Sequence, residues 1–287
     1  MDTELARTFL TVVAAGNFSQ ASERLFITQS TVSARIATLE SQLGCRLFVR
    51  NKAGTSLTPA GQRFQNYATT LVRTVERARQ DIGVVRGFRA SVTIGGRFGL
   101  WEQLLLPCLP KIRRAVGDVV VRAEIGFEDE LIQGLIEART DIGVMYTPQR
   151  RPGLVVEALF EERLVYVSSA PESSPLPGND YVYVDWGPEF AKQHNAAFPD
   201  YDGAALAANI GWIGLQHIVV NGGAGFFPLR LVSDELMRGR LYRRSDVPEF
   251  VLPVYLVHPE DPDLDTVGCA VEVIRAAASG IVGGDAS

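Results

Sequence analysis

The chain has 287 residues, 46% hydrophobic and 21% charged, with a formal net charge of −5, which suits a soluble globular protein of two or three domains and excludes a disordered or fibrous one. No run of about 18 apolar residues occurs, so no membrane span is expected, and the acidic start Met1-Asp-Thr-Glu-Leu-Ala-Arg7 lacks the basic, then apolar pattern of a signal peptide. Cys45, Cys108 and Cys269 are odd in number and far apart, which argues against a disulfide framework and for the cytoplasm.

The charge is unevenly spread. Residues 1–90 hold 12 Lys and Arg against 6 Asp and Glu, and the remainder holds 16 against 27. A basic N-terminal part on an acidic body suits contact with nucleic acid at one end only.

Residues 3–15 read as a first helix with an inward stripe of Leu5, Phe9, Val12 and Val13, ended by Gly16-Asn17. Ser19 is the expected N-cap of a second short helix, in which Ala21, Leu25 and Phe26 face inward. Thr28 is the expected cap of a third. In that helix Val32, Ile36, Leu39 and Leu43 recur at helical spacing up to Gly44, where a left-handed residue is wanted. Phe18, Leu25, Val32, Ile36 and Leu39 are the expected small core. Next, Leu47-Phe-Val49 and Ser56-Leu-Thr58 flank the basic turn Arg50-Asn-Lys-Ala-Gly54, which predicts a β-hairpin wing.

Pro59 suits the first position of a long helix. Phe64, Tyr67 or Ala68, Leu71, Val75, Ala78 and Ile82 follow an alternating three-four spacing, the narrow apolar seam of a two-helix coiled coil. Phe64, Leu71, Val75 and Ile82 are therefore the expected dimerisation residues. Residues 85–90 read as a hinge. Beyond Ser91 short β runs alternate with helices. Strands are expected at 92–95, 119–125, 141–146, 164–168, 181–184 and 251–257. Helices are expected at 100–116 (bent by Pro107 and Pro110), 128–138, 229–238 and 267–278. Residues 171–178 read as a surface loop, 221–228 as a glycine-rich then apolar segment, and 280–287 as a frayed tail. The pattern is α/β with a mostly parallel sheet.

Residues 1–90 resemble the DNA-binding half of a LysR-type transcriptional regulator. The motifs that carry the resemblance are Leu5 and Phe9, Phe18-Ser-Gln-Ala-Ser22, Thr28-Gln-Ser-Thr-Val-Ser33, Ile36-Ala-Thr-Leu-Glu-Ser-Gln-Leu-Gly44, Leu47-Phe-Val-Arg50 and Leu57-Thr-Pro-Ala-Gly61. Many members carry Arg directly after the serine that matches Ser33, whereas here Ala34 precedes Arg35. The body resembles the family's two-lobed effector-binding domain, whose architecture is that of periplasmic solute-binding proteins. Leu100-Trp-Glu102 and Trp186-Gly-Pro-Glu-Phe190 resemble the subgroup typified by the flagellar-operon repressor HdfR.

The expected organisation is a winged helix-turn-helix at 1–58, a linker and dimerisation helix with hinge at 59–90, and an α/β effector-binding domain at 91–287. Its first lobe is expected at about 91–160 and 255–287, its second at about 161–254. An α-helix fits the DNA major groove and offers its first residues to base edges. Gln29, Ser30, Thr31, Ser33, Ala34 and Arg35 are thus the expected base readers, with Arg50 and Lys52 of the wing on phosphates. Ligands of open α/β sheets bind beyond the carboxyl ends of strands. This nominates Arg97, Phe98, Gly99, Phe127, Glu128, Tyr146 and Thr147 of the first lobe, with Trp186, Asn221 and Gly222 opposite. Arg97 favours a small carboxylate, which Glu128 and Asp129 oppose if they face inward.

The resemblance implies a homodimer or homotetramer on a roughly palindromic double-stranded operator. It also implies an unidentified small-molecule effector, with RNA polymerase as a further partner. An alternative is a regulator or architectural protein whose body only oligomerises. Catalysis finds no support. His194, His217 and His258 lack metal-ligand spacing, no Gly-x-Ser-x-Gly elbow occurs, and Gly222-Gly-Ala-Gly225 is not a dinucleotide fingerprint. No enzyme activity, metal or cofactor is expected.

Overall fold

The computed structural model describes residues 2–51, 54–82, 88–171 and 177–284. The head opens with α1 (Thr3–Ala15), capped by the Asp2 carboxylate on the Glu4 N–H at 3.1 Å and ended by Gly16 at φ 72°. Next come α2 (Phe18–Leu25) and α3 (Gln29–Leu43). The cap of α2 is Asn17, not Ser19: Asn17 Oδ1 accepts the Gln20 N–H at 2.7 Å. Phe26 does not face inward. It ends α2 in the left-handed region at φ 54°, its N–H returns to the Glu23 and Ser22 carbonyls, and its side chain is 94% exposed. Thr28 caps α3 and Gly44 closes it, as expected.

Strands β1 (Phe48–Asn51) and β2 (Gly54–Leu57) pair antiparallel as the wing. Phe9 gathers the core, its ring 5.1 Å from Phe48 and 5.0 Å from Phe64. Val32, Ile36 and Leu39 are buried, and Leu25 only partly.

Helix α4 (Pro59–Ile82) follows. Phe64 is 7% exposed and packs into the head, so it is not part of an open dimer seam. Ala68 and Val72 share its inward face. Leu71 and Val75 are half-buried, and Tyr67 and Ile82 are 71% and 87% exposed. The inward face meets α1 and then Leu131, Leu135 and Leu154 of the body in one apolar cluster. The physical reason is amphipathic width: the helix carries apolar or small residues on more than a coiled-coil stripe, and its own chain covers part of them.

The body begins at β3 (Ala90–Gly96), so Ala90 belongs to a strand rather than the expected hinge, of which residues 85–87 lie outside the described residues. A short α5 (Phe98–Leu100) runs through a π turn (Trp101–Leu105) into α6 (Leu106–Val116). In the π turn the Leu106 N–H reaches the Trp101 carbonyl. Pro107 and Pro110 have no N–H to give, and widening the helix by one residue before them accommodates the lost register.

Then come β4 (Val119–Ile125), α7 (Glu128–Ile136), β5 (Ile142–Met145), β6 (Leu154–Ser168), β7 (Val182–Val184), α8 (Pro188–Ala197), β8 (Leu206–Ala208) and α9 (Gly211–Asn221). Next are β9 (Ala224–Pro228), α10 (Leu229–Met237), β10 (Tyr242–Arg243), β11 (Phe250–Pro259) and α11 (Cys269–Gly284). Of the expected loop at 171–178, residues 172–176 lie outside the described residues. Residues 280–284, expected to fray, continue α11.

The sheet order is β10-β6-β11-β5-β3-β4, with β9 also beside β6. Within this sheet β3, β4 and β5 run parallel, and β7 and β8 form a separate parallel pair. The pairs formed by β6 and β11 are antiparallel, so the sheet is mixed rather than mostly parallel. The cause is β6 and β11, two long strands that cross from the first lobe (β3–β5, α6, α7, α11) to the second (β7–β10, α8–α10), with a register shift at Val254/Tyr255. The glycine-rich segment is strand β9, where a Cβ on Gly225 would stand 2.8 Å from the Val182 carbonyl oxygen. No helix among the described residues is long and apolar enough to cross a membrane.

His194 is fully buried in the second lobe. Its Nε2 lies 3.0 Å from the Tyr181 hydroxyl, and the rings of Tyr183, Phe190, Phe198 and Tyr201 surround it. Burial lowers its pKa, partly countered by a hydrogen bond with Asn195. A depressed imidazole favours the neutral form in the fold, so unfolding takes up a proton below the ordinary value of about 6.5. Stability from this site is full above that value and falls as the pH drops from it towards the folded-state pKa. The thermal midpoint of the wild type is expected to fall more steeply between pH 7.5 and 5.5 than that of His194→Gln. Parallel profiles contradict this.

Candidate DNA-reading surface and interlobe cleft

Thr28 builds the start of α3. Its Oγ1 accepts the Thr31 N–H at 3.2 Å and lies 2.8 Å from both the Ser30 and Thr31 hydroxyls. From there Gln29, Ser30, Ala34, Ala37 and Thr38 stand exposed, while Thr31 and Ser33 are half-buried. Arg35 points elsewhere. Its guanidinium donates to Thr8 Oγ1 at 3.2 Å and to Glu4 at 3.4 Å, both on α1. Of the expected base readers, then, Arg35 is the one held against the head itself.

The wing is fastened to α3 by a residue that sequence reasoning missed. Glu40 is buried, and its Oε1 accepts the N–H groups of Leu47 at 2.7 Å and Phe48 at 3.3 Å, while Oε2 accepts Arg46 at 2.9 Å. Three donors repay the desolvation of that carboxylate. Thr58 completes the joint: its hydroxyl donates to the Arg46 carbonyl at 2.7 Å and accepts the Gly61 N–H at 2.9 Å. A Cβ on Gly61 would sit 2.2 Å from the Leu47 carbonyl oxygen, so only glycine fits that turn. The backbone of Arg50 pairs with Thr55 on the wing. Lys52 and the Arg50 side chain lie outside the described residues. A groove of about 380 Å³ runs between α3 and the wing, past Ser33, Ala37 and Arg46.

In the body, six of the ten expected effector residues meet around one cavity: Arg97, Phe98, Gly99, Phe127, Tyr146 and Trp186. The cavity holds only about 40 Å³. Side chains of both lobes crowd around it. The Trp186 indole N–H donates to the Phe226 carbonyl at 2.9 Å, and its ring lies so close to Gly211 that a Cβ there would fall within 2.1 Å. Arg97 is buried and donates to Glu128 at 3.3 Å and to the Asp185 carbonyl at 3.2 Å, with its guanidinium 4.6 Å from the Phe127 ring. Glu128 therefore partners Arg97 rather than standing against a ligand.

Thr147 faces a separate groove of about 500 Å³ with Pro148, Glu189 and Pro253. Asn221 and Gly222 lie at the far end of α9, where Asn221 neighbours His217. The opposite end of that helix, Asn209 to Gly211, meets the cleft instead.

Sequence reasoning also missed the second arginine. Glu162, on the crossing strand β6, is buried. It accepts the Tyr146 hydroxyl at 2.9 Å and two Arg230 donors at 2.5 and 3.0 Å. Arg230 also donates to the Gly99 carbonyl, so it joins the second lobe to the first. Burial, with Glu162 next, pushes the Tyr146 phenol well up, so it remains a donor. Burial opposes the Arg230 charge, but Glu162 outweighs it and raises the pKa. Removing one partner of such a buried pair strands the other charge. Glu162→Ala is expected to cost about 3–5 kcal/mol in urea unfolding, and the double change Glu162→Met with Arg230→Met to recover most of it. A loss below about 1 kcal/mol in the single variant contradicts the latch.

The family described as bacterial regulatory helix-turn-helix protein, lysR family, matches residues 3–62. The LysR substrate binding domain matches residues 85–185. The HTH-type transcriptional regulator HdfR of Yersinia enterocolitica is 30% identical over 278 residues, 93% of this chain and 94% of the relative. Among solved structures, ArgP from Mycobacterium tuberculosis superposes with a TM-score of 0.57 at 23% identity, covering 98% of each chain. Full-length LysG from Corynebacterium glutamicum with bound effector Arg gives 0.57 at 18% identity, covering 98% of this chain and 99% of that one.

Proposed function

Since the chain belongs to the LysR family of transcriptional regulators, we propose that its α3 and wing read a two-fold operator, and that a small molecule entering between the lobes alters how the head is held. It is a DNA-binding regulator with a substrate-binding body of the kind that binds effectors. The observation that carries the reading is the pair of polar latches across the cleft, Arg97 on Asp185 and Arg230 on Glu162 and Gly99.

A cavity of about 40 Å³ has room for little more than a water, so this is a closed form. A ligand enters by opening the lobes, and a carboxylate among the candidates competes with Glu128 for Arg97. To shift a 1:99 equilibrium to 99:1 it must favour the open form by about 5.5 kcal/mol. The route to the head is α4. Arg73 on that helix donates to the Leu135 carbonyl at 3.4 Å and the Gly153 carbonyl at 3.3 Å, both in the first lobe. A first lobe that shifts against the second carries α4 with it.

This reading assigns no enzyme activity to the chain and places it in the cytoplasm with its DNA. Gln29, Ser30, Ser33 and Ala34 meet the operator, and Arg50 and Lys52 meet phosphate. RNA polymerase is the partner through which the bound regulator acts on transcription.

Thermal denaturation of the full-length protein with a panel of amino acids and small dicarboxylates tests the effector site. At least one compound is expected to raise the midpoint, and Arg97→Ala to abolish that rise. No shift with any compound, and none in operator affinity, favours instead a body that only oligomerises. The outer face of α4, with Tyr67, Leu71, Val75 and Ile82, is the proposed dimer seam, without Phe64. Tyr67→Lys with Ile82→Lys is expected to shift sedimentation from dimer to monomer, and an unchanged dimer removes α4 from the interface.

A further inference from the structure

Helix α3 carries a single cationic side chain, Arg35. That side chain is 30% exposed and committed to Thr8 and Glu4 of α1. Thr8 is fully buried, with its hydroxyl on the Glu4 carbonyl at 2.7 Å, so the anchor is itself fixed. What α3 offers outward is an amide, hydroxyls and methyl groups: Gln29, Ser30, Ser33, Ala34, Ala37 and Thr38. Ala34, next to Arg35 in the chain, takes the outermost place that an arginine would need to enter a groove.

We propose that α3 reads its operator without an arginine, that the base pairs beneath its first two turns are A·T, and that Arg35 is a positioning residue. The proposal rests on α3 being the helix that enters the major groove. Guanine is selected there by two parallel donors to O6 and N7, supplied by Arg or Lys. No such pair points out of α3. The Gln29 amide supplies one donor and one acceptor, which matches adenine N7 and N6. The Ala34 methyl meets the thymine C5 methyl, and the Ser30 and Ser33 hydroxyls accept either base. Arg35 instead ties α3 to α1, which sets the angle at which the reading face leaves the head. Arg46, at the wing, is held to Glu40 and lies off α3.

The test is selection of binding sites from randomised duplex DNA by the full-length wild type and by Gln29→Ala, Ala34→Arg, Arg35→Ala, Arg35→Lys, Arg46→Ala and Thr8→Val, with melting curves to establish that each folds. The wild-type consensus is expected to carry adenine at the position whose preference Gln29→Ala relaxes by about fivefold or more. Ala34→Arg is expected to gain a guanine beside it. Arg35→Ala is expected to bind all duplexes more weakly but to select the same bases. Thr8→Val, which cannot touch DNA, is expected to reproduce that loss, and Arg35→Lys to restore much of the affinity. If Arg35→Ala fails to fold, Thr8→Val and Arg35→Lys decide the point. A guanine in the consensus that Arg35→Ala, Arg35→Lys or Arg46→Ala loses overturns the proposal. Selection of no sequence by the wild type overturns instead the premise that α3 reads DNA.

Discussion

The structure depends on one helix face that the head and the first lobe share. Along α4, Phe64 and Ala68 close the head under Phe9, and within two further turns Val72 and Arg73 rest on the first lobe. Arg7 on α1 adds a direct ion pair to Glu76 near the far end of the same helix. Burying apolar side chains contributes about 1.5–3 kcal/mol each, so the shared face is worth more than any one polar contact in it. The constraint is geometric as well: α4 cannot rotate to improve its fit to the head without losing its fit to the first lobe. Head and body are therefore not independent beads on a linker.

Polar joints then decide where the assembled parts point. Each joint is a buried carboxylate with more than one donor: Glu40 between α3 and the wing, and Glu162 between the lobes. An unpaired charge at any of these sites would cost several kcal/mol, whereas a small rotation of a purely apolar contact costs little. Such joints specify one angle rather than a range. The same logic explains the crowded cleft. Two arginines that could greet an anionic ligand, Arg97 and Arg230, are already neutralised by Glu128 and Glu162. A ligand must replace those partners, which makes opening selective for chemistry rather than size alone.

Much of the head was legible in the amino-acid sequence because its signals are local. Thr28 caps the N–H three residues on, and Gly44 ends the same helix. Strand β4 is bounded as its β-branched run suggests. The errors have a common source in long-range contact. Arg35 has the residue type of a base reader, but Glu4 and Thr8, some thirty residues earlier, decide where it points. Glu162 and Arg230 are 68 residues apart, and nothing near either one marks it as buried. Asn221 and Gly222 read as cleft residues, yet the neighbouring glycines Gly223 and Gly225 press against the Asp180 and Val182 carbonyls. Six cleft residues came together because the strand-end rule depends on topology alone; the volume left between them depends on Trp186 and could not be read from spacing.

Amide hydrogen exchange across α4 in the full-length protein tests most directly whether the cleft and the head are coupled. Glu162→Gln weakens the latch while leaving α4 and its contacts untouched in sequence. The account requires faster exchange in Glu162→Gln both near Tyr146 and Arg230 and along residues 64–76, with the remaining head amides following α4. Faster exchange confined to the cleft, with α4 protected as in the wild type, would contradict it.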